Sequence, residues 1–545
     1  MTDSTHFTAG NTPDAPRSDL PGLLGALASD LRTIGYTVDG VADLLGEAAH
    51  SALSRDQLIP ALIVTERAAH GEPTTAALAA VVRLWLLAEP QRAETLDAAL
   101  PGTRAEGLLE LGLVEPSAGG LVQAKADLRP YGWGGAAATD TDGSGGADLW
   151  VASDLAAHQR PGVLRHDHVL GIGQASTTLV QVTVRRHVAR ALDLGTGCGI
   201  QTFHLLHHAD HVTATDISER ALAFTRFNLL LNAEALHLVP AELHSRVSLR
   251  LGSLLEPVAD DKFELVVSNP PFVITPRSTG EAAADLFTYR DGGLPGDDIV
   301  ASLVRALPSV LAPGGTAQLL GNWEIPAGTP WAGRPQSWAS PDADVWFIQR
   351  EQVGPEQYAE TWLQDASEAR DRRLYQDSYA AYLDDFASRS VEAIGFGMIW
   401  LRRPAEGSKP VISRFEEITY PIEQPVGPHL GAAVERADWL AAHELAEAHL
   451  LVADDVTEER HQRPGAEHPG VILLRQGAGL RRTNLLSTEL AGLVSACDGD
   501  LSVGQIVGAL ESLLGGYDGF DAESFRGGLL SDAGNLVRDG FLLPA

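Results

Sequence analysis

Two short segments of this 545-residue chain carry residue types whose spacing could do chemistry. The first, Asp193–Gly199, has the sequence DLGTGCG and places three glycines directly after an apolar run. The second, Asn269–Phe272, has the sequence NPPF and places a carboxamide, two rigid prolines and an aromatic ring at one point. Glycine lets a backbone approach a ligand closely, and a carboxamide can hydrogen-bond a planar nitrogen group. The two segments therefore predict a cofactor site and a reacting site in one fold.

The glycine turn is typical of a site for a nucleotide-type cofactor. Its glycines permit positive φ, and a helix predicted to begin near Ile200 would offer its free N–H groups. The spacing is GxGxG, which differs from the GxGxxG of dinucleotide sites, and no phosphate-binding lysine follows. The predicted cofactor contacts in this turn are Asp193, Gly195, Thr196, Gly197, Cys198 and Gly199.

Two further segments are predicted to contact the cofactor. Asp216 ends the next predicted strand, about twenty residues on, where a carboxylate can accept both ribose hydroxyls, and Ile217 follows it. The alternative for Asp216 is that it caps the helix beginning at Ser218. Gly252 and Ser253 follow a third predicted strand, a position that suits contact with an adenine ring. The alternative for this pair is an ordinary strand-ending turn.

The NPPF segment is predicted to act on a planar nitrogen. Asn269 follows an apolar strand, so it lies at the carboxyl end of the predicted sheet, where ligands bind in such folds. An amide or base nitrogen is a poor nucleophile, and the Asn269 side-chain and Pro270 backbone carbonyls could bind its N–H hydrogens. Pro270 and Pro271 keep this backbone rigid, and Phe272 could stack on the substrate. Catalysis by these four residues would rest on positioning, without a strong general base. Asn269 is also included among the predicted cofactor-binding residues. The alternative is that Asn269–Pro271 form an ordinary turn without a function, since Asn-Pro favours turns.

The central segment supplies the elements that must position these residues. Residues 148–405 alternate predicted strands and helices, which favours an α/β fold with a mostly parallel, doubly wound, Rossmann-like sheet. The predicted strands are Ala191–Leu194, Val212–Thr215, Val247–Leu251, Leu265–Ser268, Thr316–Leu320 and Ile394–Leu401. Residues 321–390 are predicted to form a polar insertion with a helix around Pro355–Arg370.

The rest of the chain is predicted to form four parts. Residues 1–18 are rich in Thr, Asp and Pro and are predicted to be a disordered tail. Residues 19–131 are predicted to form a helical domain that ends in the helix, helix, hairpin order of a winged helix. Residues 132–147 are glycine-rich and are predicted to be a flexible connector. Residues 406–545 are predicted to form an α+β domain similar to a winged helix.

The composition of the chain bears on its cellular location and on the partners that it can bind. The net charge of −32 opposes binding to a phosphate backbone, although Arg160–Arg190 is a local basic concentration. No run of about 18 apolar residues is present and Met1–Asp19 has no apolar signal core, so we predict a cytoplasmic protein without a membrane segment. His204 and His208 have a helical metal spacing, but no well-placed Cys or acid completes a set. We therefore predict a solvated helix face there and no metal.

The motifs, in this order, resemble those of one enzyme family. The segment from about Asp167 to Gly321 resembles the class I S-adenosylmethionine (SAM)-dependent methyltransferases of the small-domain group, which contains release-factor glutamine and nucleic-acid base N-methyltransferases. DLGTGCG is similar to the group's first motif, which contacts the methionine part of SAM. Asp216 matches its ribose acid and NPPF its (N/D)PP(Y/F) motif. Tyr289–Asp297 (YRDGGLPGD) resembles a DGG-containing segment of the glutamine methyltransferases, and Ser253 stands where members often have an acid.

The resemblance implies a SAM-dependent N-methyltransferase that acts on an amide or exocyclic amine nitrogen of a macromolecule. In the group, the region matching Gly171–Thr178 forms a lid over SAM and substrate; the alternative is a loop followed by a helix cap. A protein glutamine acceptor is slightly favoured over nucleic acid because of the acidic net charge. RNA or DNA base methylation is the main alternative. Two further alternatives are a small-molecule methyltransferase and a protein-binding scaffold with a vestigial methyltransferase domain. The sequence therefore does not identify the acceptor.

Overall fold

The computed structural model describes residues 6–55, 57–133, 147–156, 159, 165–277, 293–365, 372–515 and 521–545. These residues belong to two compact units. The first unit contains the chain up to residue 180 with residues 186–408 and 415–417, and the second contains residues 181–185, 409–414 and 418–545. The N-terminal and central segments, predicted as separate domains, therefore fall in one unit, whereas the division after residue 408 lies close to the predicted boundary at residue 405.

The N-terminal part of the first unit consists of helices followed by a small antiparallel sheet. Its helices are α1 (Pro21–Thr33), α2 (Val38–Leu53), α3 (Ile59–Ala68), α4 (Pro73–Trp85), α5 (Ala93–Ala99) and α6 (Arg104–Glu110). Its strands are β1 (Gln91–Arg92), β2 (Val114–Pro116) and β3 (Leu121–Ala124), in the spatial order β1-β3-β2. Apolar residues at helical spacing form the core of this part, where Leu84, Trp85 and Leu96 are fully buried. The predicted order of helix, helix and hairpin is present in α5, α6, β2 and β3, and the assignment as a winged helix stays a prediction.

The prediction of a disordered tail is wrong for residues 6–18. The Phe7 N–H donates to the Leu249 carbonyl at 2.9 Å, and Thr12 is buried. The buried Arg220 guanidinium donates from both Nε and Nη2 to the Asp14 carbonyl, at 3.0 and 2.8 Å. A polar composition therefore does not leave this segment free, because the folded domain supplies partners for its backbone.

The prediction of a flexible connector over residues 132–147 is wrong at both of its ends. β4 (Asp127–Trp133) and β5 (Ala147–Ser153) pair antiparallel along their whole length, with Trp133 opposite Ala147. Residues 132, 133 and 147 are therefore strand residues, and residues 134–146 lie outside the described part of the chain. Buried amides hold this hairpin to the domain, because Asn228 exchanges hydrogen bonds with the Ala152 backbone at 2.7 and 2.9 Å.

The centre of the first unit is a mixed sheet of eight strands among the described residues. The strands are β6 (Val188–Leu194), β7 (Ala209–Asp216), β8 (Val247–Leu251), β9 (Phe263–Ser268), β10 (Leu311–Pro326), β11 (Asp344–Val353), β12 (Val391–Arg402) and β13 (Ser413–Glu417). Their spatial order is β13-β11-β12-β10-β9-β6-β7-β8, in which β8, β7, β6, β9 and β10 pair parallel and β12 lies antiparallel between β10 and β11. The helices of this region are α7 (Gln174–Val182), α8 (Ile200–Leu205), α9 (Glu219–Leu231), α10 (Asp298–Ala306), α11 (Gly333–Trp338), α12 (Pro355–Asp365) and α13 (Arg372–Ser388). This is the Rossmann-like α/β fold that the alternation predicted.

The predicted polar insertion contains part of this sheet. β10 continues to Pro326, and β11 adds a strand that pairs antiparallel with β12, with Phe347 opposite Ile399. Residues 345–348 (VWFI) are all buried. The prediction of a polar insertion is therefore wrong, because these residues form part of the sheet. An apolar run of only four residues gives a weak strand signal, which is why β11 was not predicted. The predicted helix at Pro355–Arg370 is present as α12.

The second unit contains two small antiparallel sheets and a set of helices. The elements are α14 (Gly427–Ala442), β14 (His449–Val452), β15 (Val456–His461), β16 (Val471–Gln476), β17 (Thr483–Leu486), α15 (Thr488–Ser495), β18 (Asp498–Ser502), α16 (Val503–Leu514), α17 (Ala522–Asp539) and β19 (Leu542–Pro544). The sheets have the orders β18-β14-β19 and β15-β16-β17. A capping box formed by Ser502 and Gln505 begins α16. None of the described helices has the length and apolar character needed to cross a membrane.

Candidate active site

The glycine turn joins the end of β6 to the start of α8. Gly195, Gly197 and Gly199 have φ of 77°, 57° and 95°, in the left-handed region that favours glycine. The N–H groups of Gly195 and Thr196 both donate to the Thr215 carbonyl of β7, at 3.0 and 2.9 Å. A Cβ built on Gly195 or Gly197 meets none of the described atoms within 4 Å. The turn therefore presents backbone to open space, as the cradle for a ligand requires.

Asp193, the first residue of the motif, is a buried carboxylate with one unused oxygen. Its Oδ2 accepts hydrogen bonds from the Thr196 and Thr202 hydroxyls at 2.7 and 2.6 Å. Its Oδ1 is buried and has no hydrogen-bond partner among the described residues. Burial raises the pKa of Asp193 to about 6, against the lowering effect of the two hydroxyls. The free oxygen gives this carboxylate the capacity to accept a hydrogen bond from a ligand.

Asp216 links the end of β7 to the glycine turn. Its Oδ2 accepts a hydrogen bond from the Gly197 N–H at 3.0 Å, and its Oδ1 accepts one from the Ser218 N–H at 2.9 Å. Burial raises its pKa. The capping alternative is wrong, because the residue at the N-cap of α9 is Ser218, whose hydroxyl accepts from the Ala221 N–H at 3.3 Å. A carboxylate has about four acceptor sites, so Asp216 keeps the capacity to accept a hydroxyl donor.

The third predicted cofactor segment lies beside Asp216. The Gly252 N–H donates to the Asp216 carbonyl at 3.0 Å. Gly252 has a φ of 156°, and a Cβ there would lie 2.5 Å from Pro257, so this position requires glycine. Ser253 is exposed, as is 57% of Ile217. Both side chains are therefore accessible to a ligand on this side of the sheet.

Cys198 contributes backbone and not thiol chemistry. Burial raises the pKa of its thiol to about 12, so it is protonated at neutral pH. Its carbonyl accepts a hydrogen bond from Asn228 Nδ2 at 2.9 Å. The predicted lid, Gly171–Thr178, is a loop followed by the first residues of α7, and the Ser176 carbonyl accepts from Gln201 Nε2 at 2.8 Å. The described contact thus ties this region to α8.

The NPPF segment begins where β9 ends. Ser268 pairs with Leu194 of β6, and the Ser268 hydroxyl donates to the Leu194 carbonyl at 2.8 Å. Asn269 follows directly, and its Oδ1 is buried without a hydrogen-bond partner among the described residues. The Pro270 carbonyl accepts from the Phe272 N–H at 2.8 Å, which tightens the turn. The free acceptor that the structure offers here is therefore the Asn269 side chain, while the Pro270 carbonyl already has one partner.

The strand register brings the predicted segments together. Leu194 pairs with Thr215 of β7 on one side and with Ser268 of β9 on the other. The glycine turn, Asp216 and Asn269 therefore all follow the carboxyl ends of three adjacent parallel strands. Phe272 is partly buried against the core that contains Val266 and Leu319, so one part of its ring is held by packing. This edge, where β6 lies between β7 and β9, is where ligands bind in doubly wound sheets.

The predicted DGG segment is only partly visible. Tyr289–Gly292 lie outside the described residues, whereas Gly293 has a φ of 77°. Asp297 is fully buried; its Oδ2 accepts from the Glu324 N–H and from Arg334 Nε, both at 2.8 Å. Asp297 thus joins the start of α10 to β10 and to α11.

Sequence reasoning missed Tyr358 and Asn322, two residues of the predicted insertion that hold the segment after NPPF. Tyr358 of α12 accepts hydrogen bonds at Oη from the Ile274 N–H at 2.8 Å and from Asn322 Nδ2 at 2.9 Å. Both side chains are buried. Tyr358 and Trp362 are four residues apart and so lie on one face of the predicted helix. This spacing predicts that Tyr358 packs against the protein, but it does not identify Ile274 as the contact of its hydroxyl.

The histidine prediction needs one correction. His204 is buried, and its Nε2 lies 2.6 Å from the Tyr131 hydroxyl, so α8 does not present it on a solvated face. Among the described residues, no group of three or more His, Cys, Asp or Glu side chains could hold a metal ion.

Comparison with known proteins identifies the central region. The family described as "Methyltransferase small domain" matches residues 154–294, and "Domain of unknown function (DUF7059)" matches residues 33–125. The ribosomal protein uL3 glutamine methyltransferase of Bradyrhizobium diazoefficiens is 31% identical over 159 residues, which are 28% of this chain and 46% of that protein. The release factor glutamine methyltransferase of Geobacter sulfurreducens is 34% identical over 168 residues, 28% of this chain and 51% of that protein. The ribosomal RNA small subunit methyltransferase C of Alcanivorax borkumensis is 27% identical over 184 residues, 33% of this chain and 46% of that protein. The chain thus spans about half the length of these curated relatives.

The fold, the site and the family match define one class. Residues 154–294 are a class I SAM-dependent methyltransferase domain of the small-domain group, and SAM is the cofactor of this domain. The residues present fit that cofactor. The glycine turn faces open space, Asp193 has an unused buried oxygen, and Asp216 has lone pairs for hydroxyl groups.

Proposed function

We propose that this protein is a SAM-dependent N-methyltransferase that modifies a planar amide nitrogen of a macromolecule, with a protein glutamine as the favoured acceptor. The observation that carries the proposal is the unpartnered Oδ1 of Asn269, which is buried and follows the end of β9. β9 is the neighbour of β6, which carries the glycine turn, and Asp216 ends β7 on the other side of β6. A buried acceptor without a partner costs free energy, so its retention at a ligand-binding edge supports a role toward a substrate donor.

The cofactor side would hold SAM by its polar groups. Asp216 would accept from ribose hydroxyls while it keeps its bonds to Gly197 and Ser218, and Asp193 would accept through its free oxygen. SAM, when bound, supplies a methyl group on a sulfonium centre as the electrophile. The two carboxylates also place negative charge near a positively charged cofactor, which favours its binding.

The acceptor side would supply orientation and electrostatics. The Asn269 carbonyl would accept an N–H of the substrate amide, which fixes the nitrogen and places negative potential where positive charge develops. The prolines make this backbone rigid, so little reorganisation accompanies the reaction. As the N–CH3 bond forms, the S–CH3 bond would break and its electron pair would stay on the sulfur of the departing neutral thioether. The methylated nitrogen is acidic and would lose its N–H proton to water, so no strong general base is required.

Charge and similarity both favour a protein acceptor. The net charge of −32 opposes non-specific binding to nucleic acid, which depends on counterion release by basic contacts. Two of the relatives named above are glutamine methyltransferases of proteins. The second candidate function is methylation of an RNA base, which the rRNA methyltransferase among the relatives supports.

Transfer from tritiated SAM tests the proposal. Full-length protein is incubated with a cell extract depleted of its own small-molecule SAM, and the labelled macromolecules are digested separately with protease and with nuclease. We expect protease to release the label and the Asn269→Ala variant to transfer almost none. Label released by nuclease would support the RNA alternative instead. Binding of SAM without transfer to any macromolecule would point to the scaffold hypothesis.

A further inference from the structure

One hydroxyl group connects the insertion to the reacting segment. Tyr358 lies in α12 and is 1% exposed, and its Oη accepts from the Ile274 N–H at 2.8 Å and from Asn322 Nδ2 at 2.9 Å. Ile274 follows Asn269 by five residues, and Asn322 lies in β10, the strand beside β9. A single phenol oxygen therefore joins α12, β10 and the segment that follows NPPF.

Packing fixes where this hydroxyl lies. The Tyr358 ring stacks on Phe396 with centroids 5.7 Å apart and meets the edge of Phe386 at 5.5 Å. Val273 and Ile274 belong to the same buried cluster. A ring packed on two sides cannot shift its hydroxyl without moving its neighbours, because protein interiors are close-packed. The ring thus sets the position, and the hydroxyl transmits it to the Ile274 backbone.

The polar groups of this contact are not arranged for maximal stability. Asn322 is fully buried, and its Oδ1 has no hydrogen-bond partner among the described residues. An unsatisfied buried oxygen costs free energy that an apolar side chain of similar size would avoid. Burial raises the pKa of Tyr358 well above its usual value, so its hydroxyl is protonated at neutral pH. A costly polar pair beside a reacting segment indicates a functional constraint.

We propose that Tyr358 and Asn322 are positioning residues for the methyl transfer proposed above, on which this inference rests. They hold the segment that follows NPPF, so that the Asn269 carbonyl meets the acceptor nitrogen in a reactive orientation. They act through the Ile274 backbone and touch neither SAM nor the reacting atoms. Because reaction rates depend steeply on the orientation of the reactants, loss of this hold lowers kcat and leaves cofactor affinity unchanged.

The matched pair Tyr358→Phe and Tyr379→Phe tests the proposal in the full-length chain. Tyr379 of α13 packs against the same cluster, but its hydroxyl lies in an exposed position, 3.3 Å from a Glu360 carboxylate oxygen. The substrate is the macromolecular fraction that the wild type labels with tritiated SAM. We expect Tyr358→Phe to lower kcat on this fraction about 10–100-fold, while its SAM affinity, measured by calorimetry, stays within about twofold of the wild type. Tyr379→Phe should match the wild type in both. A wild-type kcat for Tyr358→Phe would overturn the proposal.

Hydrogen exchange separates this inference from the function on which it rests. The Ile274 N–H loses its acceptor in Tyr358→Phe, so peptides covering residues 272–277 should exchange faster while peptides from β6 and β7 do not change. Unchanged exchange in residues 272–277 of a folded variant would overturn the positioning role, even if the wild type proves active. Absence of transfer by the wild type would instead overturn the proposed function.

A double variant tests whether the two side chains act as one unit. Asn322→Ala removes the second donor to the same oxygen, and it replaces the first test if Tyr358→Phe fails to fold. Substitutions of residues that share one interaction have effects that do not add. The double variant Tyr358→Phe/Asn322→Ala should therefore have a kcat no lower than that of the less active single variant. Multiplied losses would show that the two side chains act separately and would contradict the shared hold.

Discussion

The two sides of the candidate site are held by different kinds of contact. On the cofactor side, backbone N–H groups bond to the neighbouring strand β7. The Gly195 N–H donates to the Thr215 carbonyl, and the Gly197 N–H donates to Asp216, which is 19 residues away in the chain. On the acceptor side, the buried Tyr358 side chain accepts from the Ile274 N–H, 84 residues away in the chain, and so holds the segment that follows NPPF. A backbone-built side depends on a compact motif, whereas a side built from distant side chains depends on the whole insertion.

This difference has a consequence for specificity. The matched methyltransferase family covers residues 154–294, which include the cofactor turn and NPPF but neither Asn322 nor Tyr358. The predicted cofactor contacts therefore lie within the matched family region, whereas the two side chains that hold Ile274 lie outside it. We expect substitutions on the two sides to separate cleanly into effects on SAM affinity and effects on turnover.

The largest expected effect is on the acceptor side. Asn269→Ala removes the unpartnered amide oxygen that follows β9 and should lower turnover by roughly 10²–10³, because a preorganised polar contact to the reacting group is lost. SAM affinity should stay near that of the wild type. Single-turnover kinetics with tritiated SAM, together with calorimetry, measure the two quantities. A loss of SAM affinity as large as the loss of turnover would break the separation between the two sides.

The next effect is on the cofactor side. Asp216→Ala removes a carboxylate that can accept ribose hydroxyls and also releases the Gly197 and Ser218 N–H groups. We expect a loss of roughly 1.5–3 kcal/mol, about tenfold or more in SAM affinity. Calorimetry of the folded variant measures it, and circular dichroism checks the fold. Normal affinity would remove Asp216 from the cofactor site.

Asp193 gives the cofactor side a pH dependence in the absence of SAM. Its pKa in the folded protein, about 6, is above its ordinary value of 3.8, so between these pH values the folded protein binds more protons than the unfolded chain. Stability from this group is therefore present at low pH and falls as the pH rises towards 6. Asp193→Asn should raise the free energy of unfolding by roughly 1–3 kcal/mol at pH 8 and by little at pH 4.

Urea titrations at the two pH values measure this difference. SAM affinity should fall in the same variant, because a carboxylate near a positively charged cofactor is lost. A stability gain that is equal at pH 4 and pH 8 would show that titration of Asp193 is not its cause.

These contrasts also explain what the sequence could predict. β6, β7 and β9 were predicted because each contains a short run of apolar or β-branched residues. The cofactor turn was predicted because it is contiguous in the chain, and Gly195, Asp216 and Asn269 directly follow the three predicted strands. The hold of Tyr358 on Ile274 could not be predicted, because it joins residues that are distant in sequence through a hydroxyl group with no local pattern.

Two wrong predictions have related physical causes. Residues 6–18 are polar, but their backbone groups find partners such as Leu249 and Arg220 in the folded domain. β11 contributes a short apolar run amid polar residues, and its pairing with β12 decides its conformation. In both cases tertiary partners outweigh local composition, and these partners are invisible in a single sequence.

The smallest expected effect sharpens the view that the cofactor side depends on backbone. Cys198 lies within the glycine turn, but burial raises the pKa of its thiol to about 12, and its carbonyl makes the contact to Asn228 at 2.9 Å. Cys198→Ala keeps that carbonyl and removes only a small side chain, so SAM affinity should stay within about twofold of the wild type. In the wild type, iodoacetamide at pH 7 should leave this thiol unmodified, because the reactive thiolate is not populated. Calorimetry and intact-mass measurements check the two expectations. Rapid alkylation that abolishes SAM binding would show that the turn opens in solution, and a large loss of affinity in Cys198→Ala would show that this position acts through its side chain.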